Sequence, residues 1–185
     1  MKLKEGDLIF VSHKDPSLPK VIAKSTAMGR PLNYSHVGIV AAESGRLWVY
    51  HATRGLGCCR QRLSQFISGQ KGRLDLYRPK IPIDVEEIVS RARSMVGQPY
   101  NASFSPREQG WYCSSYVWYA YQKTGLFHPV PMQFGPKGKK VLPYWRLYFR
   151  KLGKEIPVGQ PGIAPNTLVL QGGLSYLGKL TCGRK

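Results

Sequence analysis

Apolar residues in the first half of this chain recur mostly at a spacing of two, and later at spacings of three and four. After a Gly6 turn signal, Asp7 to Val11 is a short apolar run of strand type. The stretch from Ser12 to about Asn33 is rich in Lys, Ser and Pro and reads as a polar loop. Two further strands are expected at Ser35–Ala41 and Leu47–Thr53, joined by a hairpin turn within Ala42-Glu43-Ser44-Gly45-Arg46. Arg73–Tyr77 reads as another short strand. Helical spacing begins with Val85, Ile88, Val89, Ala92, Met95 and Val96. Asp84 is placed as cap with Glu87 in capping-box position, and Gly97 as the stop. A turn-rich stretch from Gln98 to Gly110 leads to a second helix, about Tyr112 to Lys123, closed by Gly125. Beyond Phe127 the chain is rich in Gly and Pro, with one last strand expected at Thr167–Gln171. Strands first, helices next and an irregular covering tail argue an α+β fold. The reading divides the chain into a core, residues 1–128, and a basic Gly/Pro-rich extension, residues 129–185, packed on it as one domain.

Composition sharpens this only in part. The chain's 185 residues suit a single core, and no apolar run approaches the roughly 18 residues a membrane span needs. The first residues are charged and run straight into a strand, so no secretory signal is read. A cytoplasmic origin, or export by a specialised route, is the expectation. Lys and Arg number 28 against 10 Asp and Glu, a net charge of +18, which favours anionic partners: nucleic acid, anionic lipid or an acidic wall polymer. From Lys137 to Lys154 the basic residues Lys137, Lys139, Lys140, Arg146, Arg150, Lys151 and Lys154 have no acid among them. Pro143, Tyr144, Trp145, Tyr148 and Phe149 are interleaved. No nucleic-acid motif accompanies this segment, so a nucleic-acid-binding module rests on charge alone. A surface helix with an aromatic core side explains it equally well.

The four cysteines, Cys58, Cys59, Cys113 and Cys182, form no CxxC, and the histidines are not at zinc spacing. Free thiols are expected, and neither a metal nor an organic cofactor is called for.

The chemistry resides in one constellation. His36 falls on one face of its strand and His51 on the corresponding face of the next, because side chains alternate along a strand. A turn centred on Glu43-Ser44 sets the two imidazoles directly opposite. A turn centred on Ser44-Gly45 makes them diagonal neighbours. Cys113 lies in the first turn of its helix, on the inward face, where main-chain N–H groups and the helix dipole favour a thiolate. A Cys with a His as base and a second His orienting it is a nucleophilic dyad with its third member.

These residues carry a family resemblance. Gly97-Gln98-Pro99-Tyr100 through Trp111-Tyr112-Cys113-Ser114-Ser115-Tyr116-Val117 and on to Tyr121 resembles the G-x-P-Y … C-S-x-x-V-x-x-x-Y block of NlpC-type cysteine peptidases. Here the His segment, Tyr34 to Val40, precedes the Cys block. That order, with the opening Gly6 to Phe10, resembles the circularly permuted YiiX/YebB-like branch, of which lecithin retinol acyltransferases are distant kin. The likeness covers residues 5 to about 125. It implies a circularly permuted papain-like fold, with an antiparallel sheet against a helix carrying the nucleophile. Cys113 matches that nucleophile, His36 the base and His51 the third polar residue, where several YiiX-like relatives place an acid instead. Tyr100 is a site-lining residue or a core aromatic. With Ser35, Tyr112 and Ser114 it completes the candidate substrate-binding set. The expected activity is hydrolysis of an amide by a thiol, foremost in peptidoglycan stem peptides, as an injected antibacterial effector with an inhibitory partner protein would do. Hydrolysis or transfer of a lipid acyl group at an anionic membrane is the second expectation.

Overall fold

The computed structural model describes residues 2–12, 18–27, 31–136 and 140–180. Strand β1 (Leu8–Ser12) is buried along its whole length, so its side chains serve cores on both faces. The next segment was expected to be loop throughout, but it forms helix α1 (Leu18–Thr26). Leu18, Val21, Ile22 and Ser25 repeat at helical spacing there, and the helix gains its stability by docking against the tail. Strands β2 (His36–Glu43) and β3 (Arg46–Thr53) form the expected hairpin. Glu43 pairs with Arg46 across a turn in which Ser44 and Gly45 both have positive φ, 49° and 72°, so the second of the two registers is the one formed.

Strand β4 (Gly57–Arg62) and the short helix α2 (Leu63–Ser68) follow, neither of them signalled by the hydrophobic pattern. Cys58 and Cys59 sit side by side on β4 and face opposite sides of the sheet, Cys58 in the core and Cys59 beside His51. This explains why both remain thiols; Cys113 is a free thiol too, and Cys182 lies outside the described residues. Strand β5 (Arg73–Pro79) comes next, then helix α3 (Val85–Ser94). Asp84 caps α3 by accepting from the Glu87 N–H at 3.0 Å. Of the apolar residues expected inward on α3, Val96 instead stands 41% exposed, because the helix has already ended at Met95.

Helix α4 (Cys113–Ala120) and a 3₁₀ turn (Gln122–Thr124) end at Gly125, φ 68°, as expected. The tail holds more regular structure than its composition suggests. Short strands β6 (Val130–Pro131) and β7 (Pro161–Gly162) pair with each other, and helix α5 (Pro143–Leu152) lies between them. Residues 167–171, expected as strand, belong to helix α6 (Pro165–Leu170) and its end; the last strand, β8 (Leu174–Lys179), follows it. Pro165 at the helix start and the packing of buried Leu168 outweigh the β preference of Thr167 and Val169.

The central sheet has six antiparallel strands in the order β4-β3-β2-β1-β5-β8, so the tail supplies one edge. Leu8, Phe10, Val37, Ile39, Tyr50 and Ala52 form the face on which α3 and α4 pack. Ile9, Val11, Val40, Val49 and Leu76 form the other, closed by Phe66 of α2. Buried polar contacts fix α4 on its face. Tyr121 donates its hydroxyl to the Gly6 carbonyl (2.6 Å), and Tyr116 donates to the Ala92 carbonyl (2.6 Å). At the root of β2, the fully buried Asn166 of α6 accepts from the Tyr34 N–H (2.9 Å) and donates to Thr26 of α1 (3.0 Å).

Truncating Asn166 leaves a buried main-chain N–H without its acceptor. Asn166→Ala is expected to lower unfolding free energy by about 1–3 kcal/mol. Urea denaturation measures this, and an unchanged midpoint would show that the clamp is not structural.

Candidate functional site

The site forms where the start of α4 meets the root of β2. Tyr112 is the residue before the helix. Ser115 holds it there, its Oγ accepting from the Tyr112 N–H (3.0 Å) and donating to the Tyr112 carbonyl (3.0 Å). Cys113 is therefore the first helical residue, as its placement in the sequence implied. Its thiol faces the Ser35 carbonyl at 4.0 Å, and the Val37 N–H also reaches the sulfur. The thiol is thus bracketed by main chain on either side of His36.

The imidazoles occupy the other side of that strand end. The His36 and His51 rings lie 6.0 and 5.0 Å from the Phe66 ring, on the α2 face, whereas α4 packs on the opposite face. As the register requires, they are diagonal neighbours, with His36 Nε2 and His51 Nδ1 3.0 Å apart. The third strand extends this chain: His51 Nε2 stands 2.9 Å from Gln61 Oε1 and 3.5 Å from Cys59 Sγ. An amide oxygen only accepts, so His51 carries its proton on Nε2 and offers a lone pair on Nδ1. His36 must then donate from Nε2, which leaves its basic lone pair on Nδ1.

The electrostatics follow from burial. Burial pushes the His51 pKa down to about 4, against the opposing bond to Gln61, so His51 is neutral at ordinary pH. Burial also pushes the Cys113 thiol up to about 11. The Ser114 hydroxyl and the N–H groups of Val37, Ser114 and Cys113 pull it back only in part. This reverses the expectation of a lowered thiol: the helix N-terminus acts in the expected direction, but the loss of water outweighs it.

All four residues named as substrate-binding candidates line one cavity with Cys113. The hydroxyls of Tyr112 and Ser114 are engaged with the main chain of Ile163. Tyr112 accepts from its N–H (3.2 Å) and Ser114 donates to its carbonyl (2.8 Å), so they build the wall. Tyr100 is held neutral by burial first and by the neighbouring Cys113 sulfur second. It is both a packed aromatic and a lining residue. Gln61 and Phe104 escaped the sequence reading. Gln61 shows no apolar alternation, its signal being only a strand partner two residues beyond Cys59. Phe104 sits at φ 59°, a backbone state unusual for a bulky side chain, and its ring lies 5.3 Å from Tyr112 in the cavity wall.

This arrangement has relatives. A family model for the permuted papain-like amidase enzymes, YaeF/YiiX, C92 family, matches residues 2–169. The chain belongs to this family. The protein YiiX of Escherichia coli strain K12 is 30% identical over 124 residues, which is 64% of this chain and 57% of that protein's length. A crystal structure described as metalloprotein yiiX from Escherichia coli O157:H7 superimposes with a TM-score of 0.75 at 26% identity, covering 96% of this chain and 97% of that one. The permuted papain-like fold and the YiiX-type resemblance read from the His-first order are thereby established.

Two measurements check the electrostatics. In the unfolded chain a histidine takes up its proton near pH 6.5, whereas buried His51 does so only near 4. The unfolded state therefore binds more protons between those values. The contribution of His51 to stability is complete above about pH 6.5 and is lost as pH falls towards 4, by up to about 3 kcal/mol. Urea unfolding from pH 7 to 4 is expected to show this loss and His51→Asn to flatten it; parallel profiles would refute it. Iodoacetamide labelling of Cys113, followed by peptide mapping, is expected to give an apparent pKa above the roughly 8.5 of a free thiol. A value below 7 would mean a resting thiolate.

Proposed function

We propose that this chain hydrolyses amide bonds through an acyl-enzyme on Cys113, with His36 as base and His51 and Gln61 setting its tautomer. Two observations carry this reading: His36 is hydrogen-bonded through His51 to Gln61, and the Cys113 thiol lies 4.0 Å from the carbonyl of the adjoining Ser35. The thiol is neutral at rest, so its proton passes to His36 Nδ1 as the sulfur attacks the carbonyl carbon. The oxyanion forms at the start of α4, where the N–H groups of Cys113 and Ser114 surround the sulfur. His36 then gives its proton to the leaving amine. Water, deprotonated by the same imidazole, releases the acid and restores the thiol. His51 stays neutral throughout, so the imidazolium that forms on His36 keeps its acceptor.

The acyl side of the substrate is read from the cavity beside Cys113. Its volume is about 360 Å³, and among the described residues no Asp, Glu, Lys, Arg or His lines it; Met132, Phe134, Trp145 and Ile163 are among its walls. Burying a charge there has no compensation, which favours an apolar acyl group over a carboxylate-bearing peptide. The peptidoglycan reading retains the support of the +18 charge, which attracts an anionic wall polymer to the surface. The relative described as a metalloprotein raises the question of a metal here. Among the described residues no three His, Cys, Asp or Glu side chains gather as ligands, and both His51 nitrogens face hydrogen-bond partners. The donor set does not fit a metal, and no step is routed through one.

Turnover of acyl p-nitroanilides separates the substrate classes. Cys113→Ala is expected to abolish release of the aniline and His36→Ala to lower it by about 10²–10⁴. Each added methylene of the acyl chain should raise kcat/KM by about fourfold until the cavity is full. Flat chain-length dependence, together with new muropeptides released from sacculi by the wild type but not by Cys113→Ala, would replace the apolar acyl group with a wall peptide.

A further inference from the structure

We propose that the outer face of α5 docks on an anionic lipid bilayer and sets the protein's apolar cavity against it. Helix α5 has two different faces. Its inner residues Trp145 and Phe149 are buried, and Trp145 forms part of the cavity wall. Its outer surface carries Leu147 (43% exposed), Tyr144 and Leu152, with Arg146, Arg150 and Lys151 between them. A soluble helix normally turns polar residues outward. This one turns outward cations interleaved with aliphatic and aromatic side chains, the pattern of a helix lying in a membrane interface.

Charge accounting isolates the patch further. The acids that form ion pairs elsewhere are taken by local partners: Asp7 by Arg78, Asp75 by Arg73, Glu43 by Arg60 and Arg93, and Glu87 by Arg91 and Lys123. Near α5, Glu108 is paired with Lys154 (2.6 Å), and the exposed Glu155 lies three residues past the helix. Among the described residues, Arg146, Arg150 and Lys151 have no ion-pair partner. The β3–β4 turn joins this edge. Arg54 hydrogen-bonds the Tyr148 hydroxyl and lies 4.9 Å from the ring centre, and Leu56 at the same turn is 61% exposed. Exposed leucines favour a bilayer over a nucleic acid, whose bases would stack on aromatic rings. Long basic side chains can reach lipid phosphates while the helix lays Leu147 and Leu152 against acyl chains. The docking extends the reading of an apolar acyl substrate, since the wall of the cavity is then the inner side of the membrane-facing helix. It is measured without turnover, so either can fail alone.

The test is co-sedimentation with vesicles of equal phosphatidylglycerol and phosphatidylcholine, and with phosphatidylcholine alone, at low and high salt. The wild type and Cys113→Ala are expected to bind the anionic vesicles equally, bind phosphatidylcholine at least tenfold less, and weaken in salt. Combined Arg146→Ala, Arg150→Ala and Lys151→Ala should lower partitioning about a hundredfold. The exposed Lys2, Lys71 and Lys80, changed together to Ala, should lower it less than tenfold, since they remove the same charge from elsewhere. Leu147→Ser should lower it several-fold even where salt has screened the cations. No sedimentation of the wild type with anionic vesicles, or equal losses from the two triple variants, would overturn the proposal. So would full displacement by duplex DNA at equal phosphate.

Discussion

Everything in this structure is arranged around one contact, the thiol at the start of α4 lying against the main chain of residues 35–37. The sulfur meets the Ser35 carbonyl and the Val37 N–H, the main chain on either side of residue 36, while the His36 ring lies on the α2 face against Phe66. Neither element could hold that position alone. The root of β2 is tied by Asn166 to α1 and α6, and the end of α4 is tied through Tyr121 to the turn before β1. The helix start is gripped by Ile163, which engages both Tyr112 and Ser114. These are buried or half-buried hydrogen bonds between distant parts of the chain. Each becomes costly only when broken, which is how a contact of a few ångströms is kept in register.

The same burial that holds the contact decides its chemistry. A dry environment penalises every charged form, so it raises the thiol and lowers His51 together. The Cys113 thiol and His51 are therefore both neutral at rest, and in the proposed mechanism a base must take the thiol proton during attack. Such a site gains specificity from this cost. In the proposed mechanism a substrate carbonyl would bring the developing charge to the N–H groups at the start of α4, where low dielectric makes their stabilisation strongest. A solvated thiolate would react with any electrophile; a buried neutral thiol reacts with what the cavity admits.

The sequence was legible where local pattern and tertiary packing agree, and obscure where they conflict. Strands β1, β2, β3 and β5 alternate or run apolar because they are central, and the helix carrying Cys113 announces itself by inward spacing and a terminal glycine. The hairpin left two registers, which only Ser44 and Gly45 at positive φ separate. Strand β4 escaped because the face it turns to His51 is polar: Cys59 and Gln61 are there for hydrogen bonding, and so Gln61 was lost with its strand. Helix α6 was misread because Thr167 and Val169 prefer strands, and α1 because Lys and Pro mask an apolar repeat. The thiol's acidity was misjudged for a related reason. A dipole is readable from position in a helix, whereas desolvation depends on what the tail lays over it.

That tail explains why chain order matters little to the site but composition after residue 128 matters greatly. Sheet pairing and a helix start are indifferent to which segment is made first, so the His strand can precede the Cys helix with the fold preserved. What completes the enclosure comes last. Met132, Phe134, Trp145 and Ile163 wall the cavity, and β8 closes the sheet beside β5. A Gly/Pro-rich segment suits this task, because it must follow a surface already formed instead of imposing a period of its own. Its glycine at 162 shows the fit: a Cβ there would lie 2.4 Å from the Met132 sulfur. The tail is thus the part of the molecule in which a change of side chain alters what reaches Cys113 while leaving the thiol, the two imidazoles and Gln61 where the sheet and α4 put them.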